Sequence, residues 1–181
     1  AYRRAFPPAD QGGIRDRGAA LMAQAEMSAR VMRFVDTWRL GHVASIGPAG
    51  PNVSPKGTFQ ALSPTELVYA EIRSPQTREN IAHDPRVEVN MVDVFSRQGA
   101  RFRGEARFEG ADSALTARLM PRWQELFGAE LAALIKGFVV IELSEIRPLK
   151  TPAYDVGAEE AQLRRDYLAR FTAMQREALG E

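Results

Sequence analysis

The chain of 181 residues contains no cysteine. That excludes disulfides, thiolate zinc sites, iron–sulfur ligation and a cysteine nucleophile. Histidine is nearly absent as well, with only His42 and His83. A His-rich metal centre is thereby excluded and a Ser-His-Asp triad disfavoured, so no metal site is expected. No run of 18 apolar residues occurs, and no membrane-spanning helix is expected. A basic start followed by an apolar run and a small-residue cleavage site is missing too, which makes the cytoplasm the expected location. Charge of one sign is also lacking. Lys+Arg number 24 and Asp+Glu 23, a formal net charge of +1, so no bulk field points to nucleic acid or anionic lipid as a partner. Lysine itself is scarce: Lys56, Lys136 and Lys150 stand among 24 basic residues. The phosphate-binding fingerprints G-x-G-x-x-G and G-x-x-x-x-G-K-[ST] and the G-x-S-x-G elbow do not occur, which removes the usual nucleotide and hydrolase readings.

What remains is an ordinary globular composition, 45% hydrophobic and 26% charged. A chain of this mass buries about 70% of its unfolded surface as one domain. Residues 1–18 are rich in Arg, Gly and Pro and poor in aliphatics, which suits a solvated leader or an arm lying on a partner subunit. Residues 19–181 then form a single domain. Met27, Val31, Phe34, Val35 and Trp38 mark one helical face over 19–39, with Gly41 closing it.

A β-rich block follows. His42–Ile46 and Pro51–Phe59 flank the turn Gly47-Pro48-Ala49-Gly50 as a hairpin. Glu66–Ile72 and Val87–Val92 are further strands. Over Ala100–Glu109 apolar and charged residues alternate with period two, the pattern of a half-buried strand. Ser74 as N-cap with Pro75 at the first helical position starts a short helix, which Asp84-Pro85 stops. Asp112 can cap a helix carrying Leu115, Leu119, Trp123 and Phe127, with Gly128 as its end. Gly137–Leu143 is a sixth, buried strand, and 158–179 is an amphipathic helix. Short turns make the sheet antiparallel. The expected fold is mainly β with flanking helices, six antiparallel strands in a closed or nearly closed barrel.

Three local features can carry chemistry. In Asn52-Val53-Ser54-Pro55-Lys56-Gly57 a lysine sits beside a proline that cannot donate to a central ladder. This is either an edge with backbone left free for a ligand or an ordinary edge protected by charge. Ser74, Thr77 and Arg78 bring hydroxyls and a guanidinium to a helix start, which suits a phosphate or is simply a capped helix. Arg101 and Arg103 share the polar face of the alternating strand, where they meet either an anion or partner carboxylates. Taken together, the three features favour an anionic, aromatic, phosphorylated cofactor.

From about 32 to 109 the chain resembles the pyridoxamine 5′-phosphate oxidase-like, FMN-binding split-barrel proteins. The resemblance rests on Gly41-His42-Val43-Ala44-Ser45, on Pro51 through Gly57, on Thr77-Arg78-Glu79-Asn80-Ile81-Ala82-His83-Asp84-Pro85-Arg86-Val87 and on Arg103-Gly104-Glu105-Ala106. It implies a homodimer of split barrels with FMN at the subunit interface. By the same resemblance the Val53, Ser54, Pro55 and Lys56 backbone runs along the flavin, and Lys56 sits near the N1/O2 edge of the ring. Tyr69 and Ala70 flank the ring. Thr77 with Arg78 or Ser74 meets the phosphate, and Arg101 comes from the other subunit. Where the oxidase carries an Arg-Lys pair this chain has Gln76-Thr77, and equivalents of the oxidase's late tryptophan and arginine are missing. The resemblance therefore implies an FMN-dependent oxidoreductase whose substrate the sequence does not identify, and pyridoxamine phosphate oxidation itself is not expected. The alternative is a storage or binding module for flavin, F420 or haem.

Overall fold

A computed structural model describes residues 25–181. The proposed arm 1–18 lies outside them. Chain order is α1 (Ala29–Trp38), β1 (Gly41–Gly47), β2 (Gly50–Lys56), β3 (Gln60–Ser63), β4 (Glu66–Glu71), α2 (Pro75–His83), β5 (Arg86–Asp93), β6 (Gln98–Gly110), α3 (Ala114–Phe127), α4 (Ala129–Ala132), β7 (Gly137–Lys150), a 3-10 turn (Pro152–Val156) and α5 (Glu160–Leu179).

The strands form one antiparallel sheet in the order β2-β1-β5-β6-β7-β4-β3. Its two outermost strands, β2 and β3, are consecutive in the chain, and only Gly57, Thr58 and Phe59 separate them. Four Cα steps span at most about 14 Å. The first and last strands of a seven-stranded sheet can lie that close only if the sheet curls round on itself. No hydrogen-bond ladder joins β2 to β3, so the barrel stays split along that seam.

Seven strands replace the six expected, because the single strand read over Pro51–Phe59 breaks at Gly57. The segment after the break pairs with β4 instead of continuing along β1. The last strand also runs seven residues past Leu143. Its outer half mixes charged and apolar residues and is only partly buried, a weaker signal than the buried run before it.

Inside the barrel, Val43, Phe59, Tyr69, Met91, Phe102 and Ile141 pack with Val35 of α1. Full burial of each large apolar side chain contributes about 1.5–3 kcal/mol. The alternation read over Ala100–Glu109 holds, with Ala100, Phe102, Gly104 and Ala106 buried. A second layer lies outside the sheet, where Val68, Ala70, Phe138 and Val140 meet Leu119 and Trp123 of α3. The β4 strand is therefore covered on both faces, which explains its nearly unbroken apolar run.

Helix ends differ from expectation in two places. Ser28, not a residue near 19, caps α1, its hydroxyl accepting from the Val31 N–H at 3.3 Å. That helix ends on Arg39 in the left-handed region, at φ 53°. Gly41 serves a different need: a Cβ there would stand 2.8 Å from both Met91 Cγ and Phe59 Cε2. Ser113, one residue after Asp112, caps α3 by accepting from the Thr116 N–H at 3.0 Å. Among the described residues no helix is long and apolar enough to cross a membrane.

Candidate functional site

The seam between the two outermost strands opens into a hollow of about 340 Å³, bounded by the end of β2, the Gly57–Thr58 corner, the end of β4 and the start of α2. Ser54, Pro55, Lys56, Ala70 and Ser74 line it, together with Arg73. Five of the ten candidate residues thus come together here. They arrive from separate parts of the chain because the corner is tied down: the Ala70 N–H donates to Thr58 Oγ1 at 2.9 Å.

Lys56 ends β2 and is only 8% exposed. Its Nζ donates to Ser54 Oγ at 2.6 Å and lies 5.5 Å from the centroid of the Tyr69 ring. Residues 54 and 56 are two apart on a strand, so their side chains share a face, and the short Ser54 side chain can reach the ammonium. Burial pushes the Lys56 ammonium below its ordinary value of 10.5, while the field of the Glu71 carboxylate opposes part of that shift. Burial, helped by Glu71, holds the Tyr69 phenol well above its ordinary range.

Tyr69 and Ala70 do not flank a common space. Successive strand residues point to opposite faces, so Tyr69 enters the barrel core while Ala70 faces the outer layer and borders the hollow. The Tyr69 hydroxyl is buried without a partner among the described residues.

At the start of α2 the side chains read from the sequence already have partners within the fold. The Ser74 N–H donates to Glu71 Oε1 at 2.7 Å, and the Ser74 hydroxyl donates to Glu71 Oε2. Ser74 therefore occupies the N-cap position without capping the helix through its side chain. Thr77 is buried one turn further on, and its Oγ1 accepts from Asn52 Nδ2 at 3.1 Å. Arg78 turns away from the hollow, with its guanidinium stacked 4.1 Å from the centroid of the Phe108 ring.

Val53, 65% exposed on β2, points off the barrel. Arg101 lies on the polar face of β6, where its Nε meets Glu88 Oε1 at 3.0 Å. Arg103 bonds the other oxygen of Glu88 at 2.9 Å and Glu145 at 3.0 Å. Within one chain, then, the arginine pair of β6 meets carboxylates rather than the Lys56 hollow.

Two residues of this site escaped the sequence reading. Glu71 is a fully buried carboxylate at the end of an apolar strand, and a charge inside ELVYAEI was the signal for it. Arg73 lines the hollow, is exposed, and has no side-chain partner among the described residues. In a chain with so many arginines, nothing local distinguished it. The hollow is thus lined by a buried lysine, Lys56, and an exposed arginine, Arg73. That donor set suits an elongated anion with a polar body.

Among solved structures, HupZ of Group A Streptococcus matches with a TM-score of 0.59 and 23% identity, over 69% of this chain and 95% of that one. An FMN-binding protein from Syntrophomonas wolfei subsp. wolfei matches at 0.57 and 10% identity, over 67% and 84%. HutZ, the haem storage protein of Vibrio cholerae, matches at 0.53 and 18%, over 67% and 94%. At these identities the likeness is one of fold. No curated protein matches the chain. A sequence model described as pyridoxamine 5′-phosphate oxidase matches residues 27–147, from the entry to α1 well into β7, and on that match the chain belongs to the pyridoxamine 5′-phosphate oxidase family.

Proposed function

We propose that this protein is an FMN-binding flavoprotein that acts as an oxidoreductase on a small molecule, working as a homodimer with the cofactor in the Lys56 hollow. One observation carries the reading. A buried lysine, Lys56, and an arginine without a side-chain partner among the described residues, Arg73, line a single hollow at the seam of the barrel. The family membership and the FMN-binding structural neighbour support it.

FMN, when bound, supplies the redox chemistry. The chain's residues do the rest. Arg73 holds the phosphate in place of Ser74, whose donors are taken by Glu71, and of Thr77, which is buried against Asn52. Lys56 holds positive charge against the flavin edge where reduction adds negative charge, worth about 1–3 kcal/mol as a charged hydrogen bond. Ser54 positions that ammonium, and the backbone of β2 would lie along the ring. The second subunit completes the site and brings Arg101.

The test is direct. Purified protein is expected to be yellow, with an absorption band near the flavin maximum, and to run as a dimer in light scattering. Lys56→Met is expected to weaken FMN binding by about tenfold or more and to lower the flavin potential. If that variant keeps both affinity and potential, the assignment fails.

A specific observation supports a second reading, haem binding without turnover. His42 is exposed on β1 directly across from Pro55 of β2, and an imidazole is a suitable iron ligand. A Soret shift on haemin titration that disappears in His42→Ala would favour it over flavin.

A further inference from the structure

We propose that a second hollow, built between α1 and the C-terminal helix, binds an amphipathic organic anion: a planar apolar body with one carboxylate, sulfonate or phosphate head. It is separate from the Lys56 hollow and the proposal does not depend on the cofactor reading.

This space measures about 700 Å³, within the range of small-molecule sites. Its walls are one face of α1, the turn between β5 and β6, the end of β7 and the start of α5. The family match stops at residue 147, so the wall formed by Pro148, Leu149, Lys150, Glu160 and Arg164 lies beyond the matched segment.

That wall is latched on by polar contacts. Arg164 Nη2 reaches the buried Asp93 carboxylate at 2.7 Å, and its Nε bonds Glu160 at 2.9 Å. Gln98 Nε2 donates to Glu160 Oε2 and to Tyr154 Oη, both at 2.9 Å. Phe171 of α5 sits edge-on to Phe95, which in turn packs against Trp38 of α1. A helix with no buried residue of its own is thus held in a defined place across the hollow.

The charge balance selects the ligand. Both carboxylates in the hollow are fully employed. Asp93 accepts from the Phe95 and Ser96 N–H groups, the Ser96 hydroxyl and Arg164. Glu160 accepts from Gln98 and Arg164. Lys150 is matched by Asp155 at 2.8 Å. Arg33 is left over, an exposed guanidinium on the wall without a side-chain partner among the described residues, and Arg30 stands one turn before it. On the same helix Phe34 and Trp38 present half-buried apolar surface to the space. One wall therefore offers a cationic end and an aromatic end, and a head-and-body anion matches both.

The probe for the test is 8-anilinonaphthalene-1-sulfonate, added to the full native chain and followed by fluorescence and calorimetry. Saturable binding at one site per chain is expected. Arg33→Glu should weaken it by about tenfold with an unchanged circular dichroism melt, since the exposed Arg33 side chain makes no hydrogen bond or ion pair with another described side chain. Lys56→Met should leave it unaltered. The proposal is overturned if no saturable site is found, if Arg33→Glu and Arg33→Ala bind as tightly as the parent, or if Lys56→Met abolishes the binding.

Discussion

Glu71 takes both donors of Ser74, the N–H on one carboxylate oxygen and the hydroxyl on the other. A buried carboxylate thus stands where an anion would approach the start of α2, and it also lends the Lys56 ammonium a favourable field. The same group ties down the site and repels a phosphate.

Glu71→Gln separates those two effects. Losing charged hydrogen bonds should destabilise the fold by about 1–3 kcal/mol, read from urea unfolding. With the repulsion gone, FMN should bind more tightly in the folded variant. Weaker FMN binding in a folded Glu71→Gln protein would show that the carboxylate aids the cofactor rather than opposing it.

Lys56 carries a pH signature. Its folded-state pKa lies below the unfolded 10.5 because burial disfavours the ammonium. The unfolded chain therefore holds more protons in the window between the two values, and stability rises with pH there. Below the window the buried charge is a full liability. Lys56→Met should consequently be the more stable form at neutral pH, its advantage shrinking as pH climbs towards 10.5. Paired denaturant titrations at pH 7 and 10 check this, and a constant difference would contradict it.

At the acid end, Asp84 is the group to watch. Its bonds to the Arg86 guanidinium and N–H hold the carboxyl down at about 2. A depressed carboxylate contributes stability above its ordinary 3.8, and that contribution fades as pH falls through about 2. In Asp84→Asn the acid limb of the stability curve should be flatter than in the parent. A carbon-detected NMR titration of Asp84 reads the midpoint itself.

Gly41 has no room for a side chain. A methyl group would meet Met91 and Phe59 inside the barrel, and overpacking of this kind typically costs about 1–3 kcal/mol. Gly41→Ala should lower the urea midpoint by a matching amount with the slope unchanged. A wild-type midpoint would mean that the core gives way freely.

Legibility from the sequence varied with the kind of signal. The β6 strand was readable because its burial alternates strictly with residue number. The start of α2 was readable because Pro75 follows Ser74. The break between β2 and β3 was not, since Gly57 interrupts nothing in the local apolar pattern. What ends β2 is a choice of partner, β1 before the corner and β4 after it. Likewise Ser54, Pro55, Lys56, Ala70 and Ser74, read from separate stretches of the chain, share a hollow. Arg78 was grouped with them by proximity in the chain, yet its side chain turns to Phe108.

Composition and local pattern by themselves determined the absence of thiol chemistry, the antiparallel β architecture and the segments from which the site is drawn. Those properties depend on residue type and on neighbours a few positions away. Only the tertiary structure decided that Glu71 would claim Ser74, that Arg73 would line the same hollow as Lys56, and that α5 would wall off a second hollow. Each is a contact made by the curling of the sheet or by a helix returning onto it, and such long-range closure leaves no trace in any short stretch of residues.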